Sequence, residues 1–324
     1  MYRPDELHGL NAMMPAFATE NAGDYHATDT VDVDRLRVAV NRMIDDGVDV
    51  ISTTGSFGEF HTLLEDEFQT LVRATLDVVN KRVPVFVGIT TMNGRETFRK
   101  ARFVREAGGE GIFTGVPFYY PPTVDNTIRF YRDIADEFPD LSIQIYHNPP
   151  LHRIHIPVSA FPQISEKRNI VSMKDSHRSP LEFHKLQKII EGKISVFVNQ
   201  TMCYPYADFG ARGFWSTDAW MGPWPLFRLR DTMDSGDVAA AKEVLDEITG
   251  NNVGDHDGLA PQDNARKLGY TAAGYCDLGP NRSPFLEISD RSMDAVIKRA
   301  GRWKALCDKY EPIVRASRKV PAAV

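Results

Sequence analysis

Ile170-Val171-Ser172-Met173-Lys174-Asp175-Ser176 is the stretch on which the reading of this chain turns. It reads as a short buried strand with a lysine near its C-terminal end. Lysine is seldom buried without a partner or a displaced pKa. Strict alternation puts Val171 and Met173 on one face of the strand and Ile170, Ser172 and Lys174 on the other. Lys174 is then a candidate amine nucleophile. The ordinary alternative is a strand-end lysine that escapes to solvent, and the surroundings must decide between the two.

Outward from this stretch the chain alternates strand and helix. Apolar runs predict strands at 10–17, 48–53, 83–89, 111–116, 141–146, 195–198 and 213–217, besides the lysine strand. Apolar spacing of three and four predicts helices at 33–46, 64–79, 95–107, 123–138, 158–164, 180–190, 202–210 and 223–233. Gly47 closes the first helix, as glycine often does. Alternation of this kind argues a parallel sheet. Eight such units fit a closed barrel, whose usual size is about 250 residues. An open doubly wound sheet lacks its best support, because no glycine-rich dinucleotide fingerprint follows the first strand. From 237 onward the strands stop, and helices are predicted at 237–248, 260–272 and 289–310. The expectation is an α/β chain: a (β/α)8 TIM barrel over 1–235, then a C-terminal helical extension over 236–324.

Composition narrows the function classes. The 324 residues are 42% hydrophobic and 25% charged, as in a soluble globular protein. Net charge is -6 and no basic block occurs, so nucleic acid is not an expected partner. No apolar run approaches the roughly 20 residues that span a bilayer, so no membrane association is expected. The N-terminal segment Met1-Tyr2-Arg3-Pro4-Asp5-Glu6-Leu7 has no secretory apolar core. Cys203, Cys276 and Cys307 read as reduced thiols, and the expected compartment is cytoplasmic.

Barrels of this kind carry their active sites at the C-terminal ends of the strands. Those ends hold Thr53 to Glu59, Tyr146 to Asn148, Lys174, and Trp215 to Thr217. Tyr146 falls one strand before Lys174. On its strand Ile143 and Ile145 share one face, and Gln144 and Tyr146 share the other. A lysine beside a phenol in a partly dry pocket loses its proton more easily than in water. The neutral amine attacks a ketone and forms an imine, an electron sink for cleaving the neighbouring C–C bond. A phenol can move protons in such a sequence, though a barrel-filling aromatic is its ordinary alternative. Gly55-Ser56-Phe57-Gly58 offers turn amides and a hydroxyl suited to a carboxylate. Glu59 is expected to cap or complement the dipole of the following helix. No metal site is expected. His147, His152 and His155 are close in sequence, but Pro149, Pro150 and Pro157 break any regular helix that would converge them. Nor is there a Gly-x-Ser-x-Gly elbow for a serine hydrolase.

The chain resembles the dihydrodipicolinate synthase and N-acetylneuraminate lyase superfamily of Schiff-base (class I) aldolases. Gly55-Ser56-Phe57-Gly58-Glu59 stands where that family has Gly-(Thr/Ser)-Thr-Gly-Glu. Ile145-Tyr146 and Val171-Ser172-Met173-Lys174-Asp175 match its tyrosine and lysine strands. Two departures argue against dihydrodipicolinate synthesis. Phe57 replaces the second hydroxyl, so the synthases' proton relay with the tyrosine is expected to be lost. Leu151 stands where they have an acceptor-binding arginine. Tyr146-His147-Asn148-Pro149 and Phe214-Trp215-Ser216, with Gly222-Pro223 after them, resemble the hydratase-aldolases of aromatic catabolism that act on hydroxybenzylidenepyruvate and carboxybenzalpyruvate. The resemblance implies hydration and cleavage of an arylidene-pyruvate to pyruvate and an aromatic aldehyde. It implies Lys174 as imine-forming lysine, Tyr146 as proton carrier and Asn148 as the group orienting the water or new hydroxyl. Gly55, Ser56, Phe57, Trp215 and Ser216 are the expected substrate contacts. The covalent imine on Lys174 requires no cofactor. The implied partners are a small 2-oxo acid and an aromatic aldehyde, and the implied assembly is a homotetramer. Phe57, Phe60, Tyr119, Tyr120, Trp215 and Trp220 are candidates for the pocket mouth, at least half of them being core or interface instead. A pyruvate-dependent lyase acting on a sugar acid is the alternative enzyme, and an oxo-acid-binding barrel without activity the alternative outside enzymes.

Overall fold

The computed structural model describes residues 1–175, 177–250 and 265–318. Eight parallel strands close into a barrel in sequence order: β1 (Gly9–Met13), β2 (Val50–Ser52), β3 (Val85–Gly88), β4 (Gly111–Thr114), β5 (Ser142–His147), β6 (Ile170–Asp175), β7 (Ser195–Asn199) and β8 (Gly213–Ser216). The barrel closes where β1 pairs with β8, Asn11 opposite Trp215. Between and after the strands run α1 (Val33–Asp46), α2 (Glu65–Val79), α3 (Gly94–Glu106), α4 (Val124–Glu137), α5 (Pro149–His152), α6 (Phe161–Ile164), α7 (Pro180–Ile190), α8 (Cys203–Ala207) and α9 (Trp224–Asp234). The extension holds α10 (Val238–Gly250), α11 (Ala265–Ala272) and α12 (Asp290–Ser317). This is the (β/α)8 TIM barrel with helical extension that the alternation predicts. Part of the predicted 260–272 helix, residues 260–264, lies outside the described residues, as do 319–324. Among the described residues no helix is long and apolar enough to cross a membrane.

Local chemistry explains the helix starts. The Asp32 side chain accepts from Arg35 N to cap α1, and Gly47 ends it at a φ of 101°. Ser179 and Glu182 form a reciprocal capping box around Pro180, which suits the first helical position. Glu67, not Glu59, serves the start of α2, accepting from Leu64 N at 2.7 Å.

Two apolar layers follow from strands buried on both faces. Ile143, Ile145, Ile170 and Met173 pack outward under the helices. Met13, Val50, Phe86, Phe113, Tyr146, Val171 and Phe197 fill the interior. The split of β5 matches its expected faces. That of β6 does not: Val171 lies inside and Ile170 pairs with Met173 outside. The cause is a bulge, because Ile143 pairs with Ile170 but Gln144 with Ser172, leaving Val171 as an extra residue. Such a bulge redirects the side chains around it. After it, Ser172 and Lys174 run regularly with the pleat. Below the strand ends lies a polar layer: Ser52 donates to Asn11 and Gln144 at 3.0 Å each, and Gln144 donates to Ser172 at 3.0 Å.

Candidate active site

The register of β5 against β6 sets Tyr146 directly opposite Lys174. Both are inward and only 4% exposed. The ammonium nitrogen of Lys174 lies 4.5 Å from the Tyr146 ring centre and 3.6 Å from that of Trp215 on β8. Burial lowers the lysine pKa below its ordinary value, against the pull of Tyr146 and Asp175. Burial alone would raise the phenol, but the nearby ammonium and the hydrogen bonds from Ser56 and Asn148 bring it below its ordinary value. The pair is thus poised to hold and release protons nearer neutrality than either group does in water.

The Tyr146 hydroxyl is held by two groups. The Ser56 hydroxyl lies 2.9 Å away, and Asn148 Nδ2 donates at 3.3 Å. This corrects one expectation. Phe57 removes a hydroxyl from the turn, but Ser56 supplies the partner of the phenol. Ser56 thus meets Tyr146 as well as standing in the glycine turn. Phe113 stacks on the phenol, with centres 4.3 Å apart. Gly55 lies against this stack, where a β-carbon would stand 3.3 Å from Phe113 and 4.0 Å from Tyr146. A side chain there would close the space over the phenol.

Trp215 faces inward and is half-buried, but its indole nitrogen is enclosed and has no hydrogen-bond partner among the described residues. A buried donor without a partner costs about 1–3 kcal/mol, which a ligand oxygen can recover. Ser216 points the other way. Its hydroxyl donates to Gln200, so it is a framework residue and not a substrate contact. Strand alternation alone forbids Trp215 and Ser216 from sharing a face.

The aromatic candidates divide. Phe57 packs against the interior cluster and stands 4.9 Å from Tyr270 of α11. Phe60 meets Phe118 edge-on at 6.1 Å. Tyr119 and Tyr120 are exposed. Trp220 is fully buried against Phe17.

Several residues take partners that the sequence did not signal. Glu59 is no helix cap. Its carboxylate takes Lys267 at 2.9 Å and Arg282 at 2.7 Å, both from the extension. Burial brings the Lys267 ammonium down to about 8, against Glu59. His152, in the one-turn helix α5 opened by Pro149, sets its ring edge-on to Tyr146 at 4.7 Å. Gly115 makes room for it, since a β-carbon there would fall 2.2 Å from the imidazole. Burial, then the Lys174 charge, push the His152 pKa down to about 3, so the ring is neutral. His147 and His155 meet at 5.0 Å on the outer side. His147 Nε2 accepts from Ile156 N at 3.2 Å, so its Nδ1 carries the proton and donates to Asp175 at 2.9 Å. Arg178 completes the Asp175 shell at 2.8 Å. That buried cluster clamps the end of β6 immediately after the lysine.

A lysine and a phenol facing each other at adjacent strand ends of a closed barrel suit the chemistry of a carbon–carbon lyase. The chain belongs to the dihydrodipicolinate synthetase family, whose sequence profile matches residues 13–298. It is 32% identical over 256 residues to trans-O-hydroxybenzylidenepyruvate hydratase-aldolase of Sphingobium xenophagum, covering 76% of this chain and 77% of that one. It is 26% identical over 319 residues to trans-2'-carboxybenzalpyruvate hydratase-aldolase of Nocardioides sp. (strain KP7), covering 94% and 95%. Among solved structures it resembles PhdJ bound to a substrate intermediate, with a TM-score of 0.87 and 28% identity over 95% of this chain and 99% of that one. With these relatives, the chain is a carbon–carbon lyase.

Proposed function

We propose that this protein hydrates and cleaves an arylidene-pyruvate, releasing pyruvate and an aromatic aldehyde through an imine on Lys174. One observation carries the reading: a buried lysine of lowered pKa lies between the Tyr146 phenol and the Trp215 ring, with the phenol held by Ser56 and Asn148.

The neutral amine of Lys174 adds to the keto carbon, and the carbinolamine loses water to give a protonated imine. The turn amides after Gly55 suit the substrate carboxylate. Water adds to the benzylic carbon of the conjugated double bond. The electron pair of that bond moves toward the iminium nitrogen, forming an enamine. Protonation of the adjacent carbon restores the iminium. Loss of the new hydroxyl's proton then breaks the C–C bond. The aldehyde leaves, and the bonding pair stays on an enamine of pyruvate. Protonation and hydrolysis return pyruvate and the free lysine. Tyr146 moves the protons, Asn148 orients the water, and the Trp215 indole N–H meets an oxygen of the substrate. Phe57 and Trp215 offer aromatic faces to the aryl ring.

Borohydride reduction with pyruvate present is the test. It should fix a covalent adduct on Lys174, found by peptide mass mapping. An unmodified lysine would overturn the imine. A panel of aldehydes with pyruvate then tests the substrate class. Preference for polyhydroxylated aldehydes would favour a sugar acid instead.

A further inference from the structure

A closed circuit of contacts surrounds Lys174. Its amine lies over Trp215. Two residues later on the same strand end, Thr217 Oγ1 lies 2.7 Å from the Tyr270 hydroxyl. The Tyr270 ring stands 4.9 Å from Phe57 at a 42° tilt. Phe57 follows Ser56, whose hydroxyl meets Tyr146, and the Tyr146 ring faces Lys174. Every member of this circuit sits at a barrel strand end except Tyr270, which comes from α11 in the extension.

Tyr270 is fully buried and firmly anchored. Its hydroxyl donates to Asp218 Oδ1 at 2.7 Å. The other oxygen of Asp218 takes Gln200 at 2.7 Å and Arg299 at 2.8 Å. One turn earlier on α11, Lys267 holds Glu59, two residues past Phe57. The helix therefore grips the Phe57 turn at two points, by a ring contact and by an ion pair. It grips the β8 loop at a third. α11 therefore joins the Phe57 turn to the loop that follows Trp215, through Tyr270 on both sides.

We propose that Tyr270 is a positioning residue that sets the gap between Phe57 and Trp215, and so the size of the aryl group the enzyme accepts. It touches neither Lys174 nor the reacting atoms, and acts through Phe57. This rests on the arylidene-pyruvate reading.

The test compares a benzylidenepyruvate with the bulkier naphthylidenepyruvate in wild type, Tyr270→Phe and Thr217→Val. Tyr270→Phe keeps the ring and removes the anchor. Its kcat/KM ratio between the two substrates should shift about three- to ten-fold, the span of one hydrogen bond, mainly through KM. Borohydride trapping with pyruvate, which carries no aryl group, should stay within about two-fold of wild type. Thr217→Val leaves the Asp218 bond in place and should shift the ratio in the same direction by less; it decides the matter should Tyr270→Phe fail to fold. An unchanged ratio, or trapping that falls in parallel with turnover, would overturn the proposal. Wild-type protein that does not trap pyruvate overturns the imine reading itself, whereas trapping with an unmoved ratio overturns only the role of Tyr270.

Discussion

Lys174 lies nearer to the face of Trp215, at 3.6 Å, than to that of Tyr146, at 4.5 Å. An indole face attracts a cation by about 2 kcal/mol or more when both are desolvated. It offers nothing comparable to a neutral amine. On the imine proposal, the same face that steadies the ammonium would meet the iminium once substrate is bound. Tyr146 is held on its other side by Ser56 and Asn148, which suits the proton transfers proposed for it.

Replacing Lys174 by alanine should abolish trapping and lower turnover by about 10^4-fold or more, since no other nucleophile replaces the amine. Steady-state kinetics with an arylidene-pyruvate measures this. Residual turnover above that level would point to hydration without an imine.

Tyr146→Phe should lower kcat by roughly 10^2- to 10^4-fold, the range of a positioned proton carrier. Ser56→Ala should do less, but it removes a hydrogen bond that helps lower the phenol pKa. The pH profile of kcat should therefore move upward in Ser56→Ala. A variant with wild-type profile would separate Ser56 from the proton path.

The rate of borohydride trapping should climb with pH to a midpoint below the ordinary lysine value of 10.5. Only the neutral amine attacks, and burial favours the neutral form. Stopped-time trapping between neutral pH and pH 11 measures the midpoint. A value at or above 10.5 would show that Lys174 is not desolvated in solution.

His152 predicts an acid weakness. Its folded pKa is pushed down to about 3 from an ordinary 6.5. The unfolded chain binds that proton first, so the stability tied to the neutral ring is complete above about pH 6.5 and is lost as pH falls toward 3. Each unit is ~1.4 kcal/mol, so a few kcal/mol are at stake. Urea unfolding at pH 7 and pH 4.5 should show His152→Phe losing less stability than wild type over that interval. Equal losses would place the acid sensitivity elsewhere.

Glu59→Gln leaves Lys267 and Arg282 buried beside a neutral amide and should destabilise the fold by about 3–5 kcal/mol. Without the carboxylate the Lys267 pKa should fall further below about 8. The deficit should then shrink as pH rises toward 8, because the variant's lysine sheds its proton first. Thermal melts across that range test both the size and the direction.

The barrel was legible because each strand is buried on both sides, which leaves short apolar runs, and each helix on one, which leaves a period of 3.6. Lys174, Tyr146 and Gly55 were legible because polar residues and a glycine stand out at strand ends. The bulge at Val171 was not, since valine suits the interior and the outer layer equally. Ser216 was expected as a contact from the resemblance of Phe214-Trp215-Ser216, and the fold turns its hydroxyl to Gln200. The contact of the Ser56 hydroxyl with Tyr146 was not legible, because the sequence does not say how far the turn swings toward the phenol.

By itself, the order of residues determined the (β/α)8 architecture with its helical extension and the pairing of a lysine strand with a tyrosine strand. Those depend on periodicity and on neighbours along the chain. Only the tertiary structure decided which groups close around the lysine. Glu59 meets Lys267 and Arg282, and Phe57 meets Tyr270, across more than 200 residues. Contacts that distant leave no local period, because each side chain need only be the right size at the place where the fold delivers it.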